Sequence, residues 1–288
     1  MVFPADTPLP PQEVLRRTEA ASQLAATDVC PRTTLSIWRN AGRDVNYTCP
    51  EGHTFSYYLK GGHGSRRKNA PNSSGGPGKI CIIPEGAYSR WGHSKPLVFL
   101  HLHVDDEELR RRFVETTEKD ARLCHVPEID YGDIAPMKNA FRAVLLAWQS
   151  EDRLAIESGI TDLLTEIYAV CRPSGQFRLK GGLSSHSART VRDFIENNLD
   201  KPLTLRELSR QVNLSEFHFQ KMFRASFSVS PAHWVFSRRI ARARDMLARK
   251  MTIADISAHC GFSDQSHFTR SFKKATGMTP AAYMRLLN

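Results

Sequence analysis

Two stretches of the chain carry polar side chains at a helical spacing that could bind a polyanion. In residues 215–227, positions i, i+3, i+4 and i+7 hold an aromatic ring, an amide and two cations: Phe217, Gln220, Lys221 and Arg224. In residues 264–276, the equivalent positions hold two hydroxyls and two cations: Ser266, Thr269, Arg270 and Lys273. This spacing places four side chains on one face of a helix. Amides, hydroxyls and cations can hydrogen-bond the base edges and phosphates of nucleic acid.

A single polar face of this kind would be explained by solvation alone, but the sequence contains two copies of the segment that carries it. Residues 204–231 and 252–280 align at an offset of 48, which becomes 49 after one inserted residue. Each copy reads as a helix, a turn and a second helix, and the turn carries Asn213 in one copy and Gly261 in the other. Both residue types tolerate the left-handed backbone of a tight turn. The repeated cationic face favours binding over solvation.

The opposite face of each second helix is predicted to lie in the core. Its residues are mostly apolar, and they are Phe219, Met222, Phe223 and Ser226 in the first copy and Phe268 and Phe272 in the second. Phe217 instead points outward and could contact a thymine methyl group or a sugar.

One long helix, from Ser230 to Arg249, is predicted to join the two units. The hydroxyl of Ser230 precedes a proline that suits the first helical turn. If this helix holds the two second helices about 34 Å apart, they can enter successive major grooves of B-DNA. Its basic stretch would also suit a membrane surface, but its apolar stripe favours packing within the domain. Arg239 is then a candidate phosphate contact, as are Arg238 and Arg242.

Residues 188–287 resemble the DNA-binding domain of the AraC/XylS family of bacterial transcription regulators. The most specific part is "IADISAHCGFSDQSHFTRSFKKATGMTPAAYM", which is similar to the family signature around the second helix-turn-helix motif. The resemblance implies that the second helix of each motif is a recognition helix and that the partner is double-stranded DNA. It also implies regulation of transcription, most often activation through RNA polymerase. The base-contacting positions that it implies are Phe217, Gln220 and Lys221 in the first motif and Gln265, Ser266 and Arg270 in the second, and His218 joins the candidate DNA contacts.

The basic residues are concentrated in the C-terminal third of the chain. The 288 residues carry a formal net charge of +10, and from Ser184 onward there are 17 Lys and Arg against 8 Asp and Glu. A localised excess of this kind indicates a polyanionic partner.

The remaining composition argues against several other classes. The six cysteines are spaced singly without a C-x-x-C pair, so neither a zinc ribbon nor a dense disulfide frame is predicted. No run of about 18 apolar residues occurs, and the first residues lack the features of a secretory signal. We therefore expect a cytoplasmic protein without a membrane partner.

The first half of the chain has β-type patterning followed by helical patterning. Short apolar runs alternate with turn-forming stretches, which predicts an antiparallel barrel or sandwich, and these runs lie at residues 34–38, 53–59, 79–84 and 97–104. Residues 106–118 and 134–170 switch to helical spacing. The apolar stripes of residues 134–170 could pack on the β domain or form a dimer surface, and a homodimer is expected.

The predicted fold class is therefore α+β with two domains. We expect an antiparallel β-barrel with helices at residues 1–171, a Gly- and Ser-rich linker at 172–187 and an all-α domain at 188–288. Within the all-α domain, the helix-turn-helix motifs are predicted at about 204–227 and 253–276.

The N-terminal half resembles, less closely, the cupin-type effector domains that many AraC/XylS members carry. The segment "GKICIIPEGAYSRW" carries the resemblance, but Ser89 stands where a metal-binding cupin has histidine. His101 and His103 share one strand face, and two ligands make a poor metal site, so no metal or cofactor is predicted. The resemblance implies a small-molecule effector, for which the candidate residues are His53, Tyr57, Trp91, His101 and His103.

Two functional classes remain at this point. The first is a transcription regulator whose N-terminal domain responds to a small molecule. The second is an enzyme, dependent on a metal or a reactive cysteine, that is fused to a DNA-binding module. The second would need an activated thiol or a metal cluster upstream of the linker, and the residues around Cys30 offer no close partners.

Overall fold

The computed structural model describes residues 10–18, 21–30, 32–48, 50–69, 74–171 and 181–286. The chain divides into two compact units. The N-terminal unit comprises Met1–Leu109 and His125–Arg172, and the C-terminal unit comprises Arg110–Cys124 and Pro173–Asn288.

Antiparallel strands make up most of the N-terminal unit. The described strands are β1 (Ala21–Cys30), β2 (Thr33–Asn40), β3 (Val45–Thr48), β4 (His53–Gly61), β5 (Arg66–Arg67), β6 (Ile80–Ile83), β7 (Tyr88–Gly92), β8 (Leu97–Val104) and β9 (Ile129–Gly132). They form a six-stranded sheet in the order β1-β2-β8-β4-β6-β9 and a three-stranded sheet in the order β3-β7-β5. This architecture confirms the predicted antiparallel β domain, and the four predicted runs correspond to β2, β4, β6 and β8.

Strand β8 lies between β2 and β4 in the larger sheet. Leu102 stands opposite Leu35 on one side and opposite Phe55 on the other, and all three side chains are fully buried. A strand buried on both faces reads as a nearly continuous apolar run, which is the pattern of "LVFLHLHV". His101 lies within this run and is buried with it.

Four helices accompany the strands in the sequence: α1 (Pro11–Arg17), α2 (Asp106–Thr117), α3 (Ala135–Gln149) and α4 (Arg153–Val170). Helices α3 and α4 pack closely against each other. A Cβ added at Gly159 of α4 would lie only 3.1 Å from Cγ2 of Val144 on α3. Their predicted stripes are buried in large part, with Phe141 and Ile160 fully enclosed.

The C-terminal unit is helical, as predicted. Its helices are α5 (Ser185–Asn197), α6 (Leu205–Arg210), α7 (Glu216–Phe227), α8 (Pro231–Ala248), α9 (Ile253–His259), α10 (Gln265–Thr276) and α11 (Pro280–Leu286). Helices α6 and α7 form the first motif, α9 and α10 form the second, and α8 joins them. Ser230 caps α8 by accepting the N–H of His233 at 3.2 Å, as its sequence predicts.

The structure differs from the sequence predictions in three places. Strands β1, β3, β5, β7 and β9 were not predicted, because β1 is a polar edge strand and the other four have five residues or fewer. Residues 110–124 belong to the C-terminal unit rather than to the N-terminal half. The predicted linker at 172–187 falls largely outside the described residues, and its last three residues are helical because the hydroxyl of Ser184 caps α5.

Candidate nucleic-acid interface

The first helix-turn-helix motif is fixed by two side-chain caps and a left-handed turn. Thr204 and Glu207 form a reciprocal capping box, in which each backbone N–H donates to the other's side chain, at 2.8 and 3.2 Å. Asn213 takes φ 54 in the turn. Ser215 then accepts the N–H of His218 at 3.3 Å and starts α7. These polar residues decide where α7 begins and therefore which of its side chains face outward.

The second motif has the same construction with different residues. Thr252 accepts the N–H of Asp255 at 3.2 Å, and Asp264 accepts the N–H of His267 at 2.7 Å to start α10. The hydrogen bond from His267 holds the pKa of the Asp264 carboxyl below its usual value. Gly261 takes φ 65 in the turn. The structure thus confirms both turn residues that the sequence singled out.

The outward faces of α7 and α10 carry the predicted contact residues. The exposed members are Phe217, His218, Gln220, Lys221 and Arg224 in α7 and Gln265, Ser266, Arg270 and Lys273 in α10, whereas Thr269 is half-buried. Phe217 exposes 81% of its surface, which is unusual for an aromatic residue. Within the described part of the chain, the amides and cations of these two faces have no hydrogen bond or ion pair to the protein. Their donors are therefore available to a ligand.

The inward faces are aromatic and fully enclosed. Phe219 and Phe223 of α7, and Phe268 and Phe272 of α10, are each 0% exposed. The rings of Phe219 and Phe223 lie 5.5 Å apart, and those of Phe268 and Phe272 lie 5.6 Å apart. Burying a phenylalanine contributes about 1.5–3 kcal/mol to stability. Each pair thereby fixes the rotation of its helix and holds the polar face outward.

Arg239 has a structural position that the sequence did not predict. Its Nε donates to the carbonyl of Leu199 at 3.0 Å, and its Nη2 donates to the carbonyl of Lys201 at 2.7 Å. Burial lowers the pKa of this guanidinium. Arg238 is likewise engaged, because its Nε lies 2.5 Å from Oε1 of Glu196. Two of the five donors of Arg239 bind the loop after α5, and its contact with a phosphate stays a prediction for the remaining donors.

A small cavity lies within the N-terminal unit. The space in this cavity that is open to the centre of a water-sized sphere is about 20 Å³. The cavity is lined by Leu15, Val45, Tyr47, Ser56, Tyr58, Cys81, Ile83, Trp91, His93, Phe99 and His101. Nδ1 of His101 is buried without a hydrogen-bond partner among the described residues. Burial lowers the pKa of His101 to about 3 and that of His93 to about 4, so both rings are neutral at pH 7.

Of the five predicted effector residues, Trp91 and His101 line this cavity. His53 lies elsewhere and is satisfied: its Nδ1 accepts the N–H of Glu85 at 3.1 Å, and its Nε2 lies 2.9 Å from Oδ1 of Asp106. Tyr57 stacks on Phe141, and its hydroxyl accepts from Nε of Arg142 at 3.1 Å. Nδ1 of His103 lies 3.3 Å from the hydroxyl of Thr54. These three side chains have packing roles in the structure.

The sequence missed most of the cavity lining because the lining comes from separate elements. Tyr47 is on β3, Tyr58 on β4, Cys81 on β6 and His93 follows β7. Ser89, which stands where metal-binding cupins have histidine, is buried and accepts from Nε1 of Trp91 at 2.9 Å. The described residues contain no group of three or more His, Cys, Asp and Glu placed to hold a metal ion. No helix in the described ranges has both the length and the apolar character needed to cross a membrane.

Comparison with known proteins finds similarity mainly in the region of the two helix-turn-helix motifs. A family model described as a helix-turn-helix domain matches residues 208–286. The uncharacterized HTH-type transcriptional regulator YpdC of Escherichia coli strain K12 is 25% identical over 217 residues, which are 72% of this chain and 73% of that protein. The HTH-type transcriptional regulator ExsA of Pseudomonas aeruginosa is 33% identical over 100 residues, which are 34% of this chain and 36% of that protein.

A solved structure is also similar to part of this chain. The C-terminal domain of AraT, a response regulator from Geobacillus stearothermophilus, is 27% identical and covers 34% of this chain and 82% of that chain, with a TM-score of 0.33. This chain spans under two fifths of ExsA but nearly three quarters of YpdC. The match to a helix-turn-helix domain is thus confined to residues 208–286, and the relatives named above are transcriptional regulators.

Proposed function

We propose that this protein regulates transcription by reading two adjacent major grooves with α7 and α10, under the control of a small-molecule effector. The observation that carries the first part is the duplicated outward face, with two cations in equivalent positions on α7 and α10, Lys221 and Arg224 in one and Arg270 and Lys273 in the other. Amides and arginines can make paired hydrogen bonds to adenine and guanine in the major groove.

The length of α8 supports the two-groove arrangement. An 18-residue α-helix is about 27 Å long, and the major groove recurs on one face of B-DNA about every 34 Å. A single rigid helix of this size can therefore separate two recognition helices by a distance of the order of one DNA turn. The fully buried aromatic faces on both sides of α8 prevent either recognition helix from rotating independently.

The experiment that tests this part is the selection of random duplex DNA on the purified full-length chain. We expect an asymmetric site with two informative blocks about 10 base pairs apart. Binding to the selected duplex should weaken steeply with salt, because cations on both faces displace counterions from phosphates. Recovery of duplexes without any common sequence would contradict sequence-specific reading.

The effector part of the proposal is supported by the cavity around His101. Its lining contains no Asp, Glu, Lys or Arg. Burial raises the pKa of the Cys81 thiol to about 12, so this group is also uncharged at pH 7. A neutral lining with one unpartnered ring nitrogen suits an uncharged molecule that hydrogen-bonds to His101.

The size of the cavity indicates how such a molecule would act. About 20 Å³ of free space holds roughly one water molecule, so a larger effector binds only when the lining opens. A ligand that prefers the open state shifts the protein toward it, which is what regulation requires. Thermal-shift assays with benzyl alcohol, benzoate and benzylamine at equal concentration test the charge preference. Stabilisation by benzyl alcohol alone, lost in a His101→Phe variant, is the expected result.

We further propose that the chain acts by binding, without catalysis, as a cytoplasmic homodimer that contacts RNA polymerase. Burial raises the pKa of the Cys260 thiol to about 11, so neither it nor Cys81 is an activated nucleophile. Leu146 on α3 and Leu154 on α4 are exposed, and they would suit an apolar dimer contact. Sedimentation velocity of the full chain and of a Leu146→Lys variant tests the dimer, because the variant should shift it toward monomer.

A further inference from the structure

The C-terminal unit includes a segment that precedes the predicted linker in the sequence. Residues 110–124 contain the last two turns of α2 and a 3-10 turn at Ala121–Leu123. Glu115 accepts from the hydroxyl of Ser237 on α8 at 3.3 Å. Glu118 accepts from Nη2 of Arg192 on α5 at 3.0 Å. The segment is thus attached to two helices that flank the first recognition helix.

Arg122 connects this segment to the backbone that precedes α5. Its Nε and Nη2 bind the carboxylate of Asp120 at 2.8 and 2.7 Å, and its Nη1 donates to the carbonyl of Gly181 at 2.7 Å. The side chains of Arg122 and Asp120 are only 24% and 16% exposed. Hydrogen bonds with a charged partner, in a fork geometry and with limited solvent access, are the stronger ones in proteins.

The backbone that Arg122 holds lies directly against α7. The N–H of Gly182 donates to Sδ of Met222 at 3.1 Å, and the N–H of Leu183 donates to the buried hydroxyl of Ser226 at 2.9 Å. A Cβ at Gly182 would collide with the guanidinium of Arg122 and would lie 2.7 Å from the hydroxyl of Ser226. Glycine at this position therefore allows one strand of backbone to pass between Arg122 and the recognition helix.

The second recognition helix is held differently. Phe268 and Phe272 of α10 belong to an apolar cluster with residues of α8, α9 and α11, including Met246, Ile256 and Tyr283. The attachments of Glu115, Glu118 and Arg122 reach α5, α8 and the backbone against α7. Among the described residues, the bridge of Arg122 leads to the backbone that lies against α7 of the first motif.

We propose that Arg122 is a positioning residue for the first recognition helix, and that its bridge from Asp120 to Gly181 sets how well α7 engages its groove. This inference rests on the proposed reading of DNA by α7. Residues 110–124 are joined covalently to the N-terminal unit at both ends, at Leu109 and at His125. Movement of either end acts on the first motif and leaves the second unchanged.

The first experiment uses the full-length chain without DNA. Hydrogen–deuterium exchange is measured for the unaltered protein, for Arg122→Ala and for Lys119→Ala, which removes the same charge from an exposed position of the same segment. We expect the amides of α7 and of Gly182 and Leu183 to exchange about tenfold faster in Arg122→Ala, because charged hydrogen bonds are lost. Helix α10 should be unchanged, and Lys119→Ala should match the unaltered protein. Unchanged exchange in α7, or equal acceleration in α7 and α10, would overturn the inference.

The second experiment measures how α7 is positioned on the DNA rather than how stable this helix is. Each block of the selected duplex is scrambled in turn, and the block read by α7 is the one sensitive to Gln220→Ala. In Arg122→Ala, scrambling that block should cost less affinity than in the unaltered chain, while scrambling the other block should cost the same. Equal effects on both blocks, or the same effect in Lys119→Ala, would indicate a general loss of charge and contradict the proposal.

Two further measures distinguish failure of this inference from misfolding of a variant and from failure of the proposed DNA reading. If Arg122→Ala does not fold, Gly182→Ala displaces the same guanidinium by collision and should accelerate exchange in α7 in the same way. If the unaltered chain selects no duplex, the proposed DNA reading fails, while the exchange experiment still decides whether Arg122 fixes α7.

Discussion

The two helix-turn-helix motifs share capped helices and buried aromatic faces but differ in their further attachments. The first also has a polar attachment outside the motif, the backbone at Gly182 and Leu183 that Arg122 binds. The second relies on an apolar cluster beneath α10 and on a turn that only glycine fits. The difference suggests that a repeated motif can keep one reading surface while its two copies respond to different influences.

The largest expected effect is on the free energy of unfolding and concerns the buried phenylalanine rings that both motifs have. Phe219→Ala and Phe268→Ala each remove a fully buried ring from beneath a recognition helix and should lower the free energy of unfolding by about 3–5 kcal/mol. Thermal and urea unfolding of the full chain measure this. Phe217→Ala is the control, because its ring is 81% exposed and its removal should leave stability nearly unchanged. A fall in melting temperature for Phe217→Ala equal to that for Phe219→Ala would show that the assigned faces are wrong.

The next effect separates the two turns. Asn213→Ala and Gly261→Ala both put alanine at a left-handed position, with φ 54 and φ 65, which costs about 1–2 kcal/mol. At Gly261 the new Cβ would also collide with the carbonyl of Leu199 and lie 2.6 Å from Nη2 of Arg239. Gly261→Ala should therefore destabilise the chain more than Asn213→Ala in urea unfolding. Equal losses would mean that the contacts of Arg239 with this turn carry no energy.

A smaller effect concerns binding. Gln220→Ala and Arg270→Ala should each weaken binding to the selected duplex by about 1–3 kcal/mol and relax the preference at one base pair. The two variants should affect different blocks, because the residues lie on different recognition helices. Competition binding with single-base variants of the duplex measures this. Uniform weakening across all sequences would assign the residue to a phosphate contact.

The smallest effect concerns pH. Hydrogen bonds from Thr204 hold the pKa of Glu207 below its usual value, and the hydrogen bond from His267 does the same for Asp264. A carboxyl whose pKa is lower in the folded state stabilises the fold above its unfolded pKa, near 4, and that contribution is lost as the pH falls through the folded value. The difference in melting temperature between the unaltered chain and Glu207→Gln or Asp264→Asn should narrow from pH 6 to pH 3. A difference that stays constant would contradict the capping role of the charge.

Much of the fold could be predicted from the sequence because its signals are local. The cap at Ser230 and the turn residues Asn213 and Gly261 are each recognisable from a few neighbouring residues. The helical spacing of Phe268 and Phe272 likewise placed them in the core, where they are fully buried. Local hydrogen-bonding residues and the helical spacing of apolar residues were sufficient to predict these elements.

The features that were missed depend on contacts between distant parts of the chain. In the sequence Arg239 resembles an exposed cation of a basic helix, and only the structure shows that two of its donors bind the loop at Leu199 and Lys201. Arg122 is joined to Gly181 across 59 residues, a pairing that no periodicity indicates. The cavity around His101 is assembled from five strands and the segments next to them, so all of its lining residues except Phe99 are distant from His101 in sequence.

The central claim is that both recognition helices enter the major groove, and methylation interference on the selected duplex tests it most directly. Guanine N7 lies in the major groove and adenine N3 in the minor groove. The account predicts two clusters of guanines, about 10 base pairs apart, whose methylation prevents binding of the full-length chain. It also predicts that Gln220→Ala weakens interference within the cluster under α7 and that Arg270→Ala weakens it within the cluster under α10. A single cluster unaffected by one of these variants, or interference at adenines alone, would contradict it.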